Sequence, residues 1–111
     1  MKKRGKNHNN SHKNDADHHL YEFYDQQEKE TFKYGISCEP IGEDGLSKRM
    51  RRQLDVFNLA AGWVRYIVHI LLTGIPGRKT AEQIEDEHMA AFEEKYGRLP
   101  RGNKSKNRKS R

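Results

Sequence analysis

Cysteine and long apolar runs are both nearly missing from this chain. Of its 111 residues only Cys38 is a cysteine, which excludes an internal disulfide and a cysteine-ligated zinc cluster and permits a reducing working compartment. The longest apolar run, residues 66–72, is far too short to cross a bilayer, so we expect no membrane partner. The basic segment 1–10 has no apolar stretch after it, and we therefore expect no signal peptide.

Apolar side chains are scarce as well. With 32% hydrophobic and 34% charged residues the core must be small, and 111 residues allow at most one domain with tails. We predict that this domain spans residues 20–103, after a disordered, basic and histidine-rich segment 1–19 and before a basic tail 104–111. The histidines of the first segment lack a cysteine or acidic partner that would complete a metal site, and we interpret them as solvated; they are His8, His12, His18 and His19.

The net charge of +6 is unevenly distributed. Residues 1–19 carry five lysines or arginines against two acids, and residues 98–111 carry seven against none, whereas residues 20–97 hold ten against fourteen. Basic ends around a mildly acidic body suit a polyanion such as DNA or RNA. Solubilising tails would have the same composition, so both interpretations stay open.

Residues 20–37 predict a β-hairpin, since two stretches rich in aromatic side chains flank a polar turn. The alternation of residues 31–37 places three apolar side chains on one face, namely Phe32, Tyr34 and Ile36. Gly35 weakens a strand, which suggests that a backbone or a ligand comes close to it. An ordinary amphipathic hairpin with a glycine bulge would have the same pattern.

A helix is expected from about Ser47 to Leu59, because apolar residues recur along one narrow stripe. Arg49 lies at the edge of this stripe together with Gln53, where a side chain can leave the core and still face a cleft. Arg49 is therefore the basic residue of this helix that we expect to have a defined position and role in a site. The others point away and suit solvated charges or contacts to a nucleic-acid backbone; they are Lys48, Arg51 and Arg52.

The remaining elements are a strand and a second helix. Residues 64–72 are continuously apolar and rich in β-branched side chains, which favours a central strand covered on both faces. His69 is then a core histidine, and the Gly- and Pro-containing stretch 73–77 ends the strand. A capping box at residues 80–83 predicts the start of the helix, and Gly97 predicts its C-terminal cap.

Glu85 is the one acid of the second helix that falls inside its apolar arc, between Met89 and Phe92. Burying a lone carboxylate is costly unless a cation, a metal or a strong donor meets it. Glu85 therefore either forms a salt bridge with an arginine at the edge of the core or serves as a metal ligand or catalytic carboxylate.

The order strand–strand–helix–strand–helix, opened by an aromatic hairpin, resembles the GIY-YIG (URI-fold) nuclease family. Within it, the chain is most similar to the incision-subunit domain of bacterial excision repair and to small bacterial polymorphic-toxin nuclease domains. The resemblance covers residues 20–103 and implies an α+β fold, with helices flanking a small three-stranded sheet. The matched positions are Tyr21 in the first half-motif, Gly35 in the second, Arg49 on the first helix, Glu85 four residues after Ala81 on the second, and Asn103 near the end.

The chain departs from the family pattern at the two half-motifs and after the arginine. His19 and Leu20 stand where the first half-motif has glycine and isoleucine. Lys33 occupies the place of the second-motif tyrosine and Tyr34 comes one position late, so either Lys33 makes that contact or a bulge lets Tyr34 make it. Gln53 stands where relatives often carry His or Tyr, which leaves the general base unassigned.

The resemblance implies metal-assisted hydrolysis of phosphodiester bonds in DNA or RNA. Glu85 would hold Mg²⁺ (or Mn²⁺), which commonly binds through one carboxylate plus waters and phosphate oxygens. Tyr21 would orient or deprotonate the attacking water. Arg49 would counter the charge that builds on the phosphate oxygens.

Supporting contacts follow from the same resemblance. Lys33 or Tyr34 would hydrogen-bond a phosphate, and Asn103 would brace Glu85 or the tyrosine. Further contacts to nucleic acid are expected from basic residues of the first helix and the C-terminal segment, namely Lys48, Arg51, Arg52, Arg101, Lys104 and Lys106.

We therefore expect a metal-dependent endonuclease that is the toxin module of a bacterial secreted effector. The toxin hypothesis rests on the resemblance, and it implies a cognate immunity protein and action in the target-cell cytoplasm. Two alternatives stay open. One is a non-enzymatic nucleic-acid-binding module that uses its basic tails with Arg51 and Arg52, and the other is a metal-independent ribonuclease that uses His69 or His88.

Overall fold

The computed structural model describes residues 15–107, which form a small sheet and two helices. The predicted α+β fold and its element order are confirmed; the elements are β1 (Asp17–Asp25), β2 (Glu30–Ser37), α1 (Lys48–Ala61), β3 (Tyr66–Pro76) and α2 (Arg78–Tyr96). The predictions for His8, for His12 and for the outer parts of both basic ends lie outside the described residues. The prediction that His18 and His19 are solvated is wrong, because both lie in β1 and are buried, with 1% and 5% of their surface exposed. Within the described range, no helix is both long enough and apolar enough to cross a membrane.

β1 is the central strand, because the sheet has the order β2-β1-β3 with both neighbours antiparallel to β1. The prediction that β3 is a central strand is therefore wrong. Val68 and Ile70 pack beneath α1, but His69 and Leu71 on the opposite face are exposed. His69 is not a core histidine, since its half-exposed ring places Nδ1 2.9 Å from Oε2 of Glu22. A continuous apolar run indicates a hydrophobic strand, but it does not determine whether that strand lies at the centre or at the edge of the sheet.

β2 contains a bulge at Phe32. Its neighbours Thr31 and Lys33 pair with consecutive residues of β1, so Phe32 has no partner in the register. The predicted alternation is interrupted there, since one extra residue changes the face to which the following side chains point. Phe32 accordingly packs with the residues under α1, whereas Ile36 packs with those under α2.

The two faces of the sheet carry separate cores. The face under α1 is built around aromatic side chains and one methionine, and its buried members are Tyr21, Phe23 and Met50. The face under α2 is aliphatic, and its buried members are Leu20, Ile36, Ile75 and Ala81. Because β1 alternates between the faces, neighbouring residues of this one strand anchor both helices.

The helix ends differ in how well they were predicted. α1 is capped by Ser47, whose Oγ accepts a hydrogen bond from the Met50 N–H at 3.2 Å. α2 begins at Arg78 behind Gly77 and has no side-chain cap, so the predicted capping box is wrong. β3 continues to Pro76, four residues beyond the predicted strand, so the stretch 73–77 ends the strand only at its last residues. Gly77 adopts φ 89°, which lets the chain turn from strand into helix without a loop.

Ion pairs hold the segment after α2 against the hairpin. Arg65 and Arg101 both pair with Asp25, and Arg98 and Arg101 both pair with Glu30. We call these five residues the Asp25 cluster. The pairing keeps the chain after α2 beside β2, where the Gly102 N–H donates to the Phe32 carbonyl at 2.7 Å.

Candidate active site

A cleft of about 140 Å³ opens at the outer edge of β2, between α1 and α2. All six residues predicted to be catalytic line it, namely Tyr21, Lys33, Tyr34, Arg49, Glu85 and Asn103. They come from both strands of the hairpin, from both helices and from the segment after α2. We call it the Glu85 cleft.

Glu85 is buried on the inner side of α2 with 6% of its surface exposed, as its position inside the apolar arc predicted. Its Oε1 accepts a hydrogen bond from Nδ2 of Asn107 at 2.6 Å. Within residues 15–107 the carboxylate makes no ion pair, so the alternative of a salt bridge to a core-edge arginine is wrong for this part of the chain. Burial raises the pKa of Glu85, while the Asn107 hydrogen bond and the charge of Arg78 oppose that rise.

Tyr21 lies across Gly35 of the neighbouring strand. A Cβ at Gly35 would stand 2.5 Å from Cζ of the ring, so the phenol occupies the space that a side chain there would need. The close approach expected at Gly35 is therefore made by the Tyr21 ring and not by a backbone or a ligand. The hydroxyl donates to Oε1 of Gln53 at 3.3 Å.

Burial raises the pKa of Tyr21 to about 12, although the nearby charge of Arg49 works in the opposite direction. Tyr21 is thus a neutral phenol at neutral pH. Since its proton is directed to Gln53, its oxygen lone pairs remain as acceptors. This geometry suits Tyr21 for orienting a water molecule.

Positive charge converges on the same cleft from three elements. Arg49 stands in the first turn of α1, Lys33 on β2 and Arg78 in the first turn of α2. Burial and the charge of Arg49 both lower the pKa of Lys33, while Glu85 raises it. A buried acid facing three cationic side chains can bind an anionic group such as a phosphate and hold a cation beside it.

Both candidates for the second-motif contact reach the cleft. Lys33 points to the α1 side, where its Nζ lies 6.0 Å from the centre of the Phe57 ring. Tyr34 points to the α2 side, where its ring centre is 5.5 Å from that of His88. Because the bulge at Phe32 precedes both residues, it sets which of them faces each helix.

Two asparagines hold the cleft together, and only one was predicted. Asn103 accepts the Tyr34 N–H at 2.8 Å and donates to the Tyr34 carbonyl at 3.1 Å, so it positions the β2 backbone. Asn107 contacts Glu85 itself and also donates to Oδ1 of Asp86 at 3.0 Å. Asn107 was missed because no periodic pattern marks it and its residue range was assigned to a tail.

Arg78 was missed because the helix start was misplaced. With α2 beginning at residue 78, Arg78 lies seven positions before Glu85 and thus on the same helix face. Its Nε also donates to Oε2 of Glu82 at 2.9 Å. A helix start at Gly77 would have revealed Arg78 as a cleft residue from its spacing alone.

The residues predicted to contact nucleic acid outside the cleft have varied surroundings. Lys48, Arg52 and Lys104 are exposed. The other three pair with acids: Arg51 with Asp44, Arg101 with the Asp25 cluster, and Lys106 with Glu93 at 3.0 Å. Their partners already balance the charge of these three side chains.

Glu85 is the candidate metal ligand in the cleft. No group of three or more His, Cys, Asp or Glu side chains within residues 15–107 could hold a metal ion. The Glu85 hydrogen bond engages Oε1, and no hydrogen bond within that range involves Oε2. This donor set fits Mg²⁺ bound through one carboxylate with waters and phosphate oxygens completing the shell, and it does not fit an all-protein cage.

The strand order and the two helices match the fold that the resemblance to URI-fold nucleases implied. The chain belongs to the family described as URI fold toxin 2, whose model matches residues 11–97. That range includes Tyr21, Arg49 and Glu85 but ends before Asn103 and Asn107. Comparisons with curated proteins and with solved structures gave no match.

Proposed function

We propose that this toxin domain is a metal-dependent endonuclease of the GIY-YIG type that hydrolyses phosphodiester bonds in DNA or RNA. The observation that carries the proposal is the state of Glu85, a buried carboxylate that faces a cleft and has no ion-pair partner within residues 15–107. A carboxylate kept in this state retains affinity for a cation that enters with the substrate. The cationic side chains around it support a phosphate as that substrate's reacting group.

Arg49 and Lys33 would bind the scissile phosphate. The exposed Arg49 guanidinium can donate two hydrogen bonds to one phosphate, and such a donor stabilises negative charge that develops in the transition state. Tyr21 would accept a hydrogen bond from the attacking water and thereby aim its oxygen at phosphorus. Glu85 would hold Mg²⁺ or Mn²⁺, which when bound supplies charge stabilisation at the phosphate and at the leaving oxygen.

Cleavage assays on plasmid DNA and tRNA, run with Mg²⁺ or with EDTA, test the proposal. We expect cleavage in Mg²⁺ and none in EDTA. Glu85→Gln should slow cleavage on the order of 10³-fold, because several kcal/mol of transition-state stabilisation depend on this carboxylate. Glu94→Gln, an exposed acid of the same helix, is the matched control and should cleave like the parent.

The outcomes separate the alternatives. Cleavage that survives EDTA or Glu85→Gln would remove the metal role. Binding without any cleavage would favour the nucleic-acid-binding module. Loss of cleavage in His69→Ala or His88→Ala, with EDTA having no effect, would favour a ribonuclease that uses histidine.

The family supports a delivered effector as the setting of this activity. Inside a target cell the domain would act in the cytoplasm, and the producing cell would need a cognate immunity protein. Expression of the chain in a bacterial host should arrest growth, and Glu85→Gln should relieve the arrest at equal protein level. Equal arrest by both proteins would separate toxicity from this cleft.

A further inference from the structure

A second concavity, of about 410 Å³, lies beside the Glu85 cleft on the α2 side of the hairpin. Half of the residues that line it carry rings, namely Tyr24, Tyr34, His88, Phe92 and Tyr96. We call it the ring groove. Tyr34 lines both the ring groove and the Glu85 cleft, so the two adjoin at this side chain.

The rings are arranged around open space and are not all consumed by the core. Tyr96 is 39% exposed, and its ring centre lies 4.3 Å from that of Phe92 with an interplanar angle of 31°. Tyr34 and His88 meet edge to face at 5.5 Å. The Lys95 Nζ and the Arg98 guanidinium lie 5.3 and 5.8 Å from the Tyr96 ring centre, so a planar ligand that stacks on Tyr96 would displace one of these exposed cationic side chains.

Charge at the rim suits an anionic ligand. Lys29 and Lys95 line the groove, and its one acid, Glu30, is paired with Arg98 and Arg101. Lys29 adopts φ 59°, a conformation that residues other than glycine, asparagine and aspartate seldom take. Lys29 is exposed at the hairpin turn, so its ammonium group can reach a ligand at the rim of the groove.

We infer that the ring groove takes an unpaired base of a single-stranded nucleic acid, with Lys29 and Lys95 on the flanking phosphates. This inference rests on the proposed nuclease function and adds the substrate class. Single-strand-binding proteins combine stacking on aromatic side chains with cationic contacts to the backbone, and the ring groove offers both. A base inside a duplex is stacked on both faces and cannot meet these rings without leaving the stack.

The ring groove lies close to Glu85 along α2. His88 follows Glu85 by three residues on α2, and such residues are neighbours about 5–6 Å apart on a helix surface. A base stacked near His88 would therefore carry its own or its adjacent phosphate to Glu85. The groove would thus select where a strand is cut.

Equilibrium binding to a Glu85→Gln background tests the inference without depending on cleavage. The probes are labelled single strands of RNA and of DNA, about eight nucleotides long to match a typical single-strand site, and a duplex of the same sequence. A 2-aminopurine base within each strand reports stacking through fluorescence quenching. We expect the single strands to bind more tightly than the duplex and the fluorescence of their 2-aminopurine base to be quenched. Comparison of the RNA strand with the DNA strand identifies the preferred sugar.

Tyr96→Leu should weaken strand binding about tenfold and restore the fluorescence, because it removes one stacking face. Lys95→Gln should lower the salt dependence of binding by about one released counterion. Trp63→Leu is the matched control, since Trp63 is a half-exposed aromatic residue that lines neither the ring groove nor the Glu85 cleft. Thermal unfolding of each variant checks that the domain remains folded.

Duplex binding as tight as strand binding, or strand binding and quenching unchanged in both Tyr96→Leu and Lys95→Gln, would overturn the inference. Failure of the nuclease proposal looks different. In that case the parent would bind and quench the strand but would not cleave it. If the parent and Tyr96→Leu cleave a duplex at equal rates, the nuclease proposal is supported and the proposed role of the ring groove is overturned.

Discussion

Asp25 and Glu85 are both buried carboxylates, but their partners differ completely. Asp25, at the hairpin turn, accepts hydrogen bonds from Arg65 at 2.8 and 2.9 Å, from Arg101, and from the backbone N–H groups of residues 27 and 28. Glu85, in the cleft, accepts one hydrogen bond from the neutral amide of Asn107. One acid is paired with two guanidinium groups, and the other has no ion-pair partner within residues 15–107.

The difference separates a structural acid from a candidate functional one. Burial alone would raise the pKa of both groups. At Asp25 the hydrogen bonds from Arg65 and Arg101 outweigh burial and hold the pKa well below its usual range. At Glu85 burial dominates and the pKa is raised. Charge that is fully balanced inside the fold stabilises it, whereas charge left unbalanced beside a cleft is available to a ligand.

The largest expected contrast is in stability. Asp25→Ala should lower the free energy of unfolding by about 3 kcal/mol, because it removes the ion-pair partner of Arg65 and one of the two partners of Arg101. Glu85→Gln should change it by less than about 0.5 kcal/mol, since an amide replaces a carboxylate that was costly to bury. Urea denaturation followed by circular dichroism measures both values. Equal losses in the two variants would show that Glu85 is as structural as Asp25.

Gly35→Ala tests whether the position of the Tyr21 ring matters for the activity of the Glu85 cleft. The added Cβ would meet the Tyr21 ring at 2.5 Å, so either the ring or the strand must move. We expect a loss of about 1–3 kcal/mol in the free energy of unfolding, typical of overpacking. The cleavage rate should fall by more than the loss of folded protein accounts for, because the Tyr21 phenol is displaced from its position in the cleft. Gly45→Ala is the control for cleavage: nothing lies within 4 Å of the added Cβ, but the φ of 83° costs an alanine about 1 kcal/mol of stability. Unchanged cleavage in Gly35→Ala would argue against a role for Tyr21.

Asn107→Ala removes the hydrogen bond that the Glu85 carboxylate accepts at 2.6 Å. Cleavage should fall about tenfold, as is usual when a residue that orients a metal ligand is lost. The pKa of Glu85 should rise further, since this hydrogen bond lowers it. The acid limb of the pH–rate profile should therefore move to higher pH. Asn103→Ala, which frees the Tyr34 backbone and not the carboxylate, should lower the rate without moving that limb.

The two acids should also give opposite dependence of stability on pH. The folded-state pKa of Asp25 lies below its ordinary value of 3.8, so its contribution is present above that value and is lost as the pH falls through the folded pKa. The folded-state pKa of Glu85 lies above its ordinary value of 4.5, so its contribution is present below that value and is lost as the pH rises through the folded pKa.

Denaturation across acidic and neutral pH measures this contrast. Relative to the parent, Glu85→Gln should gain stability as the pH rises from acidic to neutral. Relative to the parent, Asp25→Asn should lose stability as the pH rises towards 3.8, and above that pH the difference between the two proteins should stay constant. Parallel curves for the two variants would contradict the opposite pKa shifts.

Local periodicity accounts for what could be predicted. The hairpin, the stripe of α1 with Arg49 at its edge, and the inward position of Glu85 follow from repeats of 2 and 3.6 residues, which act within one element. The edge position of β3, the start of α2 at Arg78 and the contact of Asn107 could not be predicted. Each of these depends on which element lies alongside another, and no repeat along the chain records that.

The amino-acid sequence by itself determined the elements, their order and the one acid that a helix would turn inward, because backbone sterics and burial of apolar side chains operate locally. Only the tertiary structure decided which buried acid would meet arginines and which would not. Arg65 and Arg101 reach Asp25 across 40 and 76 residues of chain, and Asn107 reaches Glu85 across 22. Electrostatic balance is a property of positions in space, so it is settled only when the chain has folded.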